Sequence, residues 1–261
     1  MSCPGSARGN ETGQMNITFL GTNGWFDTST GNTICTLVRS KQCNIIFDAG
    51  NGIHKIDKYI DYSKDTFLFL SHFHLDHIIG LHMLNKFKFK KRFVILGQKG
   101  TKRILNKLIA PPFTISFPSL KYDVEFIELG EGKHAIPLDV ECRPLFHSEP
   151  SMGYRITVDG KTISYCLDTG PCDNLIELSK DADMMITECS FPAGMYVKGW
   201  PHLNPELAAN AARQANAERL ALTHFDASIY KGHKDRLKAQ GIARRIFPGA
   251  FVARDDMRIE L

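Results

Sequence analysis

Phe69-Leu70-Ser71-His72-Phe73-His74-Leu75-Asp76-His77 is the stretch on which the reading of the chain turns. Three imidazoles and a carboxylate fall between an apolar run ending at Leu70 and the helically spaced run IIGLHMLNKF after His77. In an extended segment, residues i and i+2 project to the same side, so His72 and His74 can grip one metal. Asp76 and His77 turn away where a helix begins and can serve a second. Neutral imidazole and carboxylate suit zinc, with manganese and iron as alternatives. A histidine-rich surface loop is a poor account of this many ligands set between a strand pattern and a helix pattern.

A dinuclear site needs further ligands, and the chain offers them where other apolar runs end. His147 follows VECRPLF, Asp168 closes TISYCLD before Thr169-Gly170-Pro171, and His224 closes LALTH. A polar residue at the end of an apolar strand has its backbone fixed by the sheet and its side chain open to the loop side. Any one of them could be a turn residue. Together they complete two ligand shells, with Asp168 placed to bridge.

The flanking sequence supplies a framework of strands and helices. Strand patterns occupy Asn16 to Leu20, Thr33 to Val38, Asn44 to Asp48, Thr66 to Leu70, Phe93 to Leu96, Val124 to Leu129, Val140 to Phe146, Tyr154 to Val158, Thr162 to Leu167, Met184 to Glu188 and Leu220 to Thr223. Short strands close the chain near Phe251 and Met257. Helical spacing follows Asp48 in GNGIHKIDKYI, follows His77, and recurs over Lys99 to Ile109 and near Asn174 to Lys180. A further helix starts at Asn204-Pro205, where Asn204 can cap, Pro205 suits the first helical position and Glu206 favours the positive end of the dipole. Two strand-rich halves, each followed by helices, predict an α/β fold of two sheets face to face with helices outside: a four-layer αββα sandwich.

Bulk composition is consistent with this. The chain has 261 residues, 43% hydrophobic and 23% charged, with a formal net charge of +4. These values exclude collagen-like repetition and a largely disordered chain. No apolar run approaches the ~18–20 residues of a membrane span, so no membrane association is expected. Residues 1–14, MSCPGSARGNETGQ, read as a disordered tail, and 15–261 as a single domain. The seven cysteines are scattered without a CxxC, which predicts a reducing compartment and hence the cytoplasm.

On these residues the sequence resembles the metallo-β-lactamase superfamily over nearly its whole length after the tail. FDAG at Phe47 to Gly50 is similar to the family's first motif, HFHLDH to the second, His147 to the third, Asp168 to the fourth and His224 to the fifth. The resemblance implies the same αββα sandwich. It implies that His72, His74 and His147 hold one metal, that Asp76, His77 and His224 hold the other, and that Asp168 bridges them. Asp48 would orient ligands from behind.

Departures from the family pattern select a branch. Antibiotic-hydrolysing members commonly place a Cys where Asp168 stands, and the redox diiron members have Glu in place of His74. The glyoxalase II-like thioesterases carry a helical C-terminal segment that the residues after His224 do not match. ECSF at Glu188 to Phe191, GYRI near Gly153, YCLDTGP around Asp168, HLNPELAANAARQANAERLALTHF from His202 and IFPGAFVARDDMRIEL at the end look like the ribonuclease Z and cyclic phosphodiesterase branch. His202 is then a candidate for protonating the leaving oxygen or steadying charge on phosphate. That branch's long Gly/Pro-rich tRNA-gripping arm has no room between His147 and Asp168. GTNGWFDTSTGN replaces its basic loop after the first strand. The compact spacing looks more like the cyclic phosphodiesterases of phosphonate pathways, though their cysteine-rich structural zinc site is absent, Cys35 and Cys43 being isolated.

The expected activity is dinuclear-metal phosphodiester hydrolysis of a cyclic or short nucleotide-like substrate, by attack of a metal-bridging hydroxide. Asp76 or Asp168 would orient the hydroxide, and His202 would assist departure of the leaving group. The alternatives are a ribonuclease Z-like tRNA 3′-processing endonuclease and a lactone or thioester hydrolase. An anionic phosphodiester partner is expected, RNA is admissible, and a homodimer is left open. His54, His82, His134 and His233 have no partner pattern and read as packing or surface residues. Trp25-Phe26 either lines the pocket or covers the sheet. Between His77 and Tyr122 stand ten Lys/Arg and no Asp or Glu, and a second basic run spans Lys231 to Arg245. Basic segments beginning beside a metal site favour an anionic substrate.

Overall fold

A computed structural model describes residues 15–261, and the expected tail at 1–14 lies outside the described residues. The first half of the chain runs β1 (Asn16–Gly21), β2 (Asn23–Gly24), β3 (Cys35–Arg39), β4 (Cys43–Phe47), β5 (Asp65–Phe69), α1 (Leu75–Ile78), β6 (Phe93–Gln98), α2 (Thr101–Leu108) and β7 (Val124–Leu129). The second half runs β8 (Gly132–Ala135), β9 (Asp139–Leu145), β10 (Ser151–Val158), β11 (Lys161–Cys166), α3 (Asp173–Ser179) and β12 (Met184–Glu188). It ends with α4 (Pro205–Gln214), β13 (Leu220–Thr223), β14 (Phe225–Asp226), α5 (His233–Ile246), β15 (Ala250–Val252) and β16 (Met257–Glu260).

Two seven-stranded sheets result, ordered β16-β1-β3-β4-β5-β6-β7 and β15-β13-β12-β11-β10-β9-β8. Each sheet is half antiparallel and half parallel. In the first, β16, β1, β3 and β4 alternate in direction and β4 to β7 run parallel. In the second, β8 to β11 alternate while β11, β12, β13 and β15 run parallel. Parallel neighbours need crossover connections, and the helices supply them on the outer faces.

Three apolar clusters separate four layers. Phe19, Phe47, Phe69, Tyr154, Tyr165 and Phe251 fill the space between the sheets. Ile53, Ile56, Leu81 and Leu105 pack the first sheet under its helices. Leu175, Leu178, Ala208, Ala212, Ala239 and Ala243 do the same for α3, α4 and α5 on the second. The αββα sandwich expected from the sequence is the fold observed. The Asn204 Oδ1 accepts from the Leu207 N–H at 2.9 Å, so α4 begins with the cap the sequence announced.

Differences from expectation are local. The helical patterns after Asp48 and after His77 form 3₁₀ turns over Asn51–Lys58 and Ile79–Lys86, the second preceded by the single turn of α1. Both are pressed so close to neighbouring backbone that a Cβ on Gly52 would lie 2.6 Å from the Gly21 nitrogen. One on Gly80 would lie 2.3 Å from the Gly50 oxygen. α5, the edge strand β8 and the small β2–β14 ladder carry too few apolar residues to show a pattern; α5 buries Arg236, Ala239 and Ala243 alone. The six described cysteines are free, five of them buried. Among the described residues no helix is long and apolar enough to cross a membrane.

Topology also decides where chemistry can sit. β4, β5, β9, β11, β12 and β13 all point their C-terminal ends at one edge of the sandwich. Asp48, the His72–His77 segment, His147, Asp168, Glu188 and His224 end or follow these strands. Open α/β sheets bind ligands at that edge.

Candidate metal centre

The seven ligand candidates converge into two groups. His72, His74, His147 and Asp168 form one, and Asp76, His77 and His224 the other, with the ligand atoms of each group within 4.8 Å of one another. Asp168 faces both. Its Oδ2 lies 3.5 Å from His72 Nε2 and 3.7 Å from His147 Nε2. Its Oδ1 lies 3.3 Å from His77 Nε2 and 3.0 Å from His224 Nε2. Asp76 Oδ2 stands 3.4 Å from His224 Nε2, and His77 Nε2 and His224 Nε2 are 3.0 Å apart.

Backbone strain helps aim these side chains. Asp48, Asp168 and His224 each occupy the left-handed region just after a strand, at φ 54°, 50° and 49°. Such conformations cost of order 1–3 kcal/mol at a non-glycine residue and persist where surrounding contacts hold them. Gly24 is needed for a different reason: a Cβ there would lie 2.6 Å from the His224 ring.

Proton accounting behind the imidazoles fixes what they present to the centre. The Ser71 hydroxyl has one hydrogen and gives it to Asp48, 2.9 Å from Oδ2. Its 3.0 Å contact with His72 Nδ1 therefore has histidine as donor, which leaves a lone pair on His72 Nε2. Ser190 Oγ gives its hydrogen to the His224 carbonyl at 2.9 Å, so His224 Nδ1 donates to it at 3.1 Å and Nε2 again keeps a lone pair. His77 Nδ1 donates to Asp48 Oδ2 at 2.8 Å. Asp48 is fully buried and also accepts from the Ser71 N–H and, across the sandwich, from the Tyr165 hydroxyl, each at 2.8 Å.

Acceptors thus face acceptors across 3 Å gaps. His72 Nε2 and Asp168 Oδ1 are buried without a hydrogen-bond partner. Such an arrangement calls for positive charge, and divalent cations fit the donor set of imidazole and carboxylate. The same preference for positive charge shows in the titration of these groups. Burial alone would push Asp168 up, but the charges of His224, His77 and His72 hold it well below the usual carboxylate range. Burial would lower His77, yet Asp168, Asp48 and Asp76 raise it. His72 and His147, with burial dominant, are lowered.

His202 stands beside this centre, its ring centroid 5.4 Å from that of His147. Its Nδ1 lies 2.9 and 3.0 Å from the two oxygens of Glu188. Glu188 is fully buried and also accepts from the Thr169 and Leu203 N–H groups at 2.6 and 3.2 Å. Burial disfavours charge on His202, but Glu188 overrides it and raises the imidazole to about 9. Glu188 thus favours the imidazolium form of His202. A cavity of about 650 Å³ opens over the centre, lined by Asp76, His147, Asp168, His202 and His224 and walled by Trp25 and Trp200.

Every site residue expected from the sequence is brought to this edge, including Asp48 and His202. His54, His82 and His134 lie elsewhere and turn a ring nitrogen to the carbonyls of Asn51, Ile79 and Gly130. Of the Trp25-Phe26 pair, Trp25 lines the cavity and Phe26 packs on it edge to face. The sequence assigns no site role to Glu188, Ser71, Ser190, Tyr165 or Trp200. Glu188 was findable, because it ends the apolar run MMITE just as Asp168 and His224 end theirs. Trp200 sits in an irregular segment with no pattern to flag it.

These features define a hydrolase fold with an edge-mounted metal site. A family model described as the beta-lactamase superfamily domain matches residues 43–225, and the chain belongs to that family. It is 27% identical to a ribonuclease Z of Metallosphaera sedula, over 92% of this chain and 97% of that one. That alignment runs over 296 positions, more than this chain has residues, so the relative carries several dozen residues without a counterpart here. The crystal structure of YhfI from Bacillus subtilis, a metallo-β-lactamase-fold protein, superposes with a TM-score of 0.77 at 24% identity, covering 94% of this chain and 99% of that one. The short form of human tRNase Z gives 0.73 at 22%, covering 94% and 98%.

Proposed function

We propose that residues 15–261 form one hydrolase domain that cleaves phosphodiesters of a cyclic or short nucleotide-like substrate with two divalent cations, zinc in the first place. His72, His74 and His147 would hold one ion and Asp76, His77 and His224 the other, with one oxygen of Asp168 toward each. Bound there, the ions would polarise phosphoryl oxygens and lower the pKa of water. The observation that carries the reading is Asp168 set between two ligand groups, with His202, paired to buried Glu188, over the same cavity.

The protein's own groups take the remaining tasks. Asp76 accepts the Trp25 N–H at 2.7 Å, which holds its Oδ2 toward the centre, where it can orient the attacking water. Asp48, through His77 and Ser71, keeps the imidazoles turned so that Nε2 faces inward. His202, with Nδ1 committed to Glu188, has its other N–H to give to the departing oxygen. A lone proton donor beside two ligand groups suits a poor alkoxide leaving group, which is what a nucleotide diester presents. Thiolate departure from a thioester needs no such help, so that alternative is disfavoured.

Curated relatives named ribonuclease Z support phosphodiester chemistry and keep tRNA 3′ processing as the second reading. Against it, the chain between His147 and Asp168 is used up by the β10–β11 hairpin, whose strands are joined by Asp159-Gly160 alone. Nothing projects there to grip a tRNA. The free thiols favour a reducing compartment, and we place the enzyme in the cytoplasm. The deciding experiment is metal analysis of the purified protein, then parallel assays on bis-p-nitrophenyl phosphate, a dinucleoside monophosphate, a precursor tRNA, a lactone and a thioester. Cleavage of the diesters with two metals per chain is expected. Hydrolysis of only the lactone or thioester would overturn the reading.

A further inference from the structure

Two tryptophans stand at the cavity mouth, and a folded chain has no packing reason to leave them there. Trp25 is 68% exposed and Trp200 49%. Each is tied to a different side of the centre. Trp25 donates its backbone N–H to Asp76, a member of the group with His77 and His224, and takes a left-handed φ of 74° to do so. The Trp200 ring centroid lies 5.7 Å from His202 and 6.4 Å from His147, which belongs to the other group.

The loop bearing Trp25 is braced from below. The guanidinium of Arg236, fully buried on α5, donates to Thr22 Oγ1 at 2.9 Å and Thr30 Oγ1 at 3.1 Å, and bonds the Asn23 side chain as well. Asn23 Nδ2 in turn donates to the carbonyls of Phe26 and Gly31 at 3.1 and 2.9 Å. The β2–β14 ladder fixes the same loop to the segment after His224. An exposed indole on a backbone this constrained is preorganised for a flat partner, since little entropy is lost on contact.

We propose that Trp25 and Trp200 are stacking platforms for the two bases on either side of the scissile phosphate, so that the substrate is a diester between two nucleosides. This deepens the phosphodiesterase reading and rests on it. The assignment of sides follows from His202. The residue that protonates the leaving oxygen touches the leaving half, so Trp200, against His202, carries the base of the departing nucleoside. Trp25, beside Asp76, carries the base that stays with the phosphate. The cavity of about 650 Å³ is within the range of small-ligand sites, and both indoles stand at its rim, where bases would leave the pocket.

The chain has two tryptophans, so fluorescence excited where tyrosine does not absorb reports on the two platforms alone. Trp25→Phe leaves Trp200 as the reporter, and Trp200→Phe leaves Trp25. Adenosine monophosphate is expected to quench Trp200→Phe, whose remaining Trp25 faces the base that keeps the phosphate, adenosine is expected to quench Trp25→Phe, and ribose 5-phosphate at the same concentration is expected to quench neither. Equal quenching by ribose 5-phosphate, or failure of either base-bearing ligand to quench its variant, overturns the proposal. In the metal-loaded enzyme, Trp200→Ala is expected to lower kcat/KM on a dinucleoside monophosphate at least ~5-fold more than on the diester lacking the leaving-side base, the low end of base–aromatic stacking. Trp200→Phe should recover most of the loss. Equal losses on the two substrates overturn it. Base-dependent quenching in a protein that cleaves no diester would keep the platforms and sink the phosphodiesterase reading. Diester cleavage without quenching would do the reverse.

Discussion

Ser71 and Ser190 each have one hydroxyl hydrogen, and where it goes dictates which nitrogen of His72 and His224 is free. The same logic makes Asp48 more than a packing residue. In Asp48→Asn, the amide would turn N–H toward the Nδ1–H of His77 or the Tyr165 hydroxyl, and His77 would have to change tautomer. Zinc affinity measured by chelator competition is expected to weaken ~10–100-fold, the usual cost of losing a group that orients a ligand. His202 gives a second test. His202→Ala should lower kcat on a dinucleoside monophosphate ~10²–10⁴-fold with metal content unchanged. It should lower kcat far less on bis-p-nitrophenyl phosphate, whose leaving group departs without a proton. Comparable losses on both would remove its role as acid. The pH dependence has a definite sign. His202 is raised to about 9, so it is protonated below that value and kcat/KM should fall as pH rises through it. Glu188→Gln removes the charge that raises it and should move this alkaline limb to lower pH.

Strand ends explain both what the sequence disclosed and what it hid. An apolar run that stops at a ligand-type residue is visible in one dimension, which is why His147, Asp168 and His224 could be named beside the dense His72–His77 segment. The strands themselves were legible because the sandwich buries both faces of β1, β4, β5 and β12, leaving uninterrupted apolar stretches. α5 was not legible. Its buried face is two alanines and an arginine whose guanidinium meets hydroxyls, the Asn23 side chain and the Phe225 ring, 4.6 Å away, and no hydrophobicity pattern records that. Nor can a pattern show that Glu188 lies beneath His202, a contact made across 14 residues of irregular chain. The start of α4 was readable because a cap is local chemistry. Asn204→Ala should cost about 1 kcal/mol of stability, seen as a lower denaturant midpoint with an unchanged m-value. A loss within error would mean that solvent replaces the cap.

Across the molecule, the direction of β6 splits the basic segment that composition presents as one. Lys88, Lys90, Lys91 and Arg92 precede β6, whereas Lys99, Lys102 and Arg103 follow it. β6 is six residues long, and at ~3.3 Å per residue its ends are about 20 Å apart, twice the Debye length at 0.1 M salt. The edge that carries the candidate ligands is the one β6 points toward. Gln98, at its end, donates to the Pro150 carbonyl at 2.8 Å, in the loop that follows His147. On the far side Arg92 is already paired with Glu125 at 2.7 Å. α5 is divided in the same way. Lys231 and Lys234 stand at the end nearest His224, and Arg244 and Arg245 at the other. A formal charge of +4 therefore says less about steering than the position of five basic residues on one edge. The paired substitution Lys102→Glu, Arg103→Glu should lower kcat/KM for an anionic diester at low salt, with the deficit shrinking as ionic strength rises toward 0.5 M. Lys90→Glu, Lys91→Glu changes the net charge by the same amount on the opposite edge and should leave kcat/KM unchanged. If both pairs reduce the rate equally, attraction is set by net charge and the edge has no part in it.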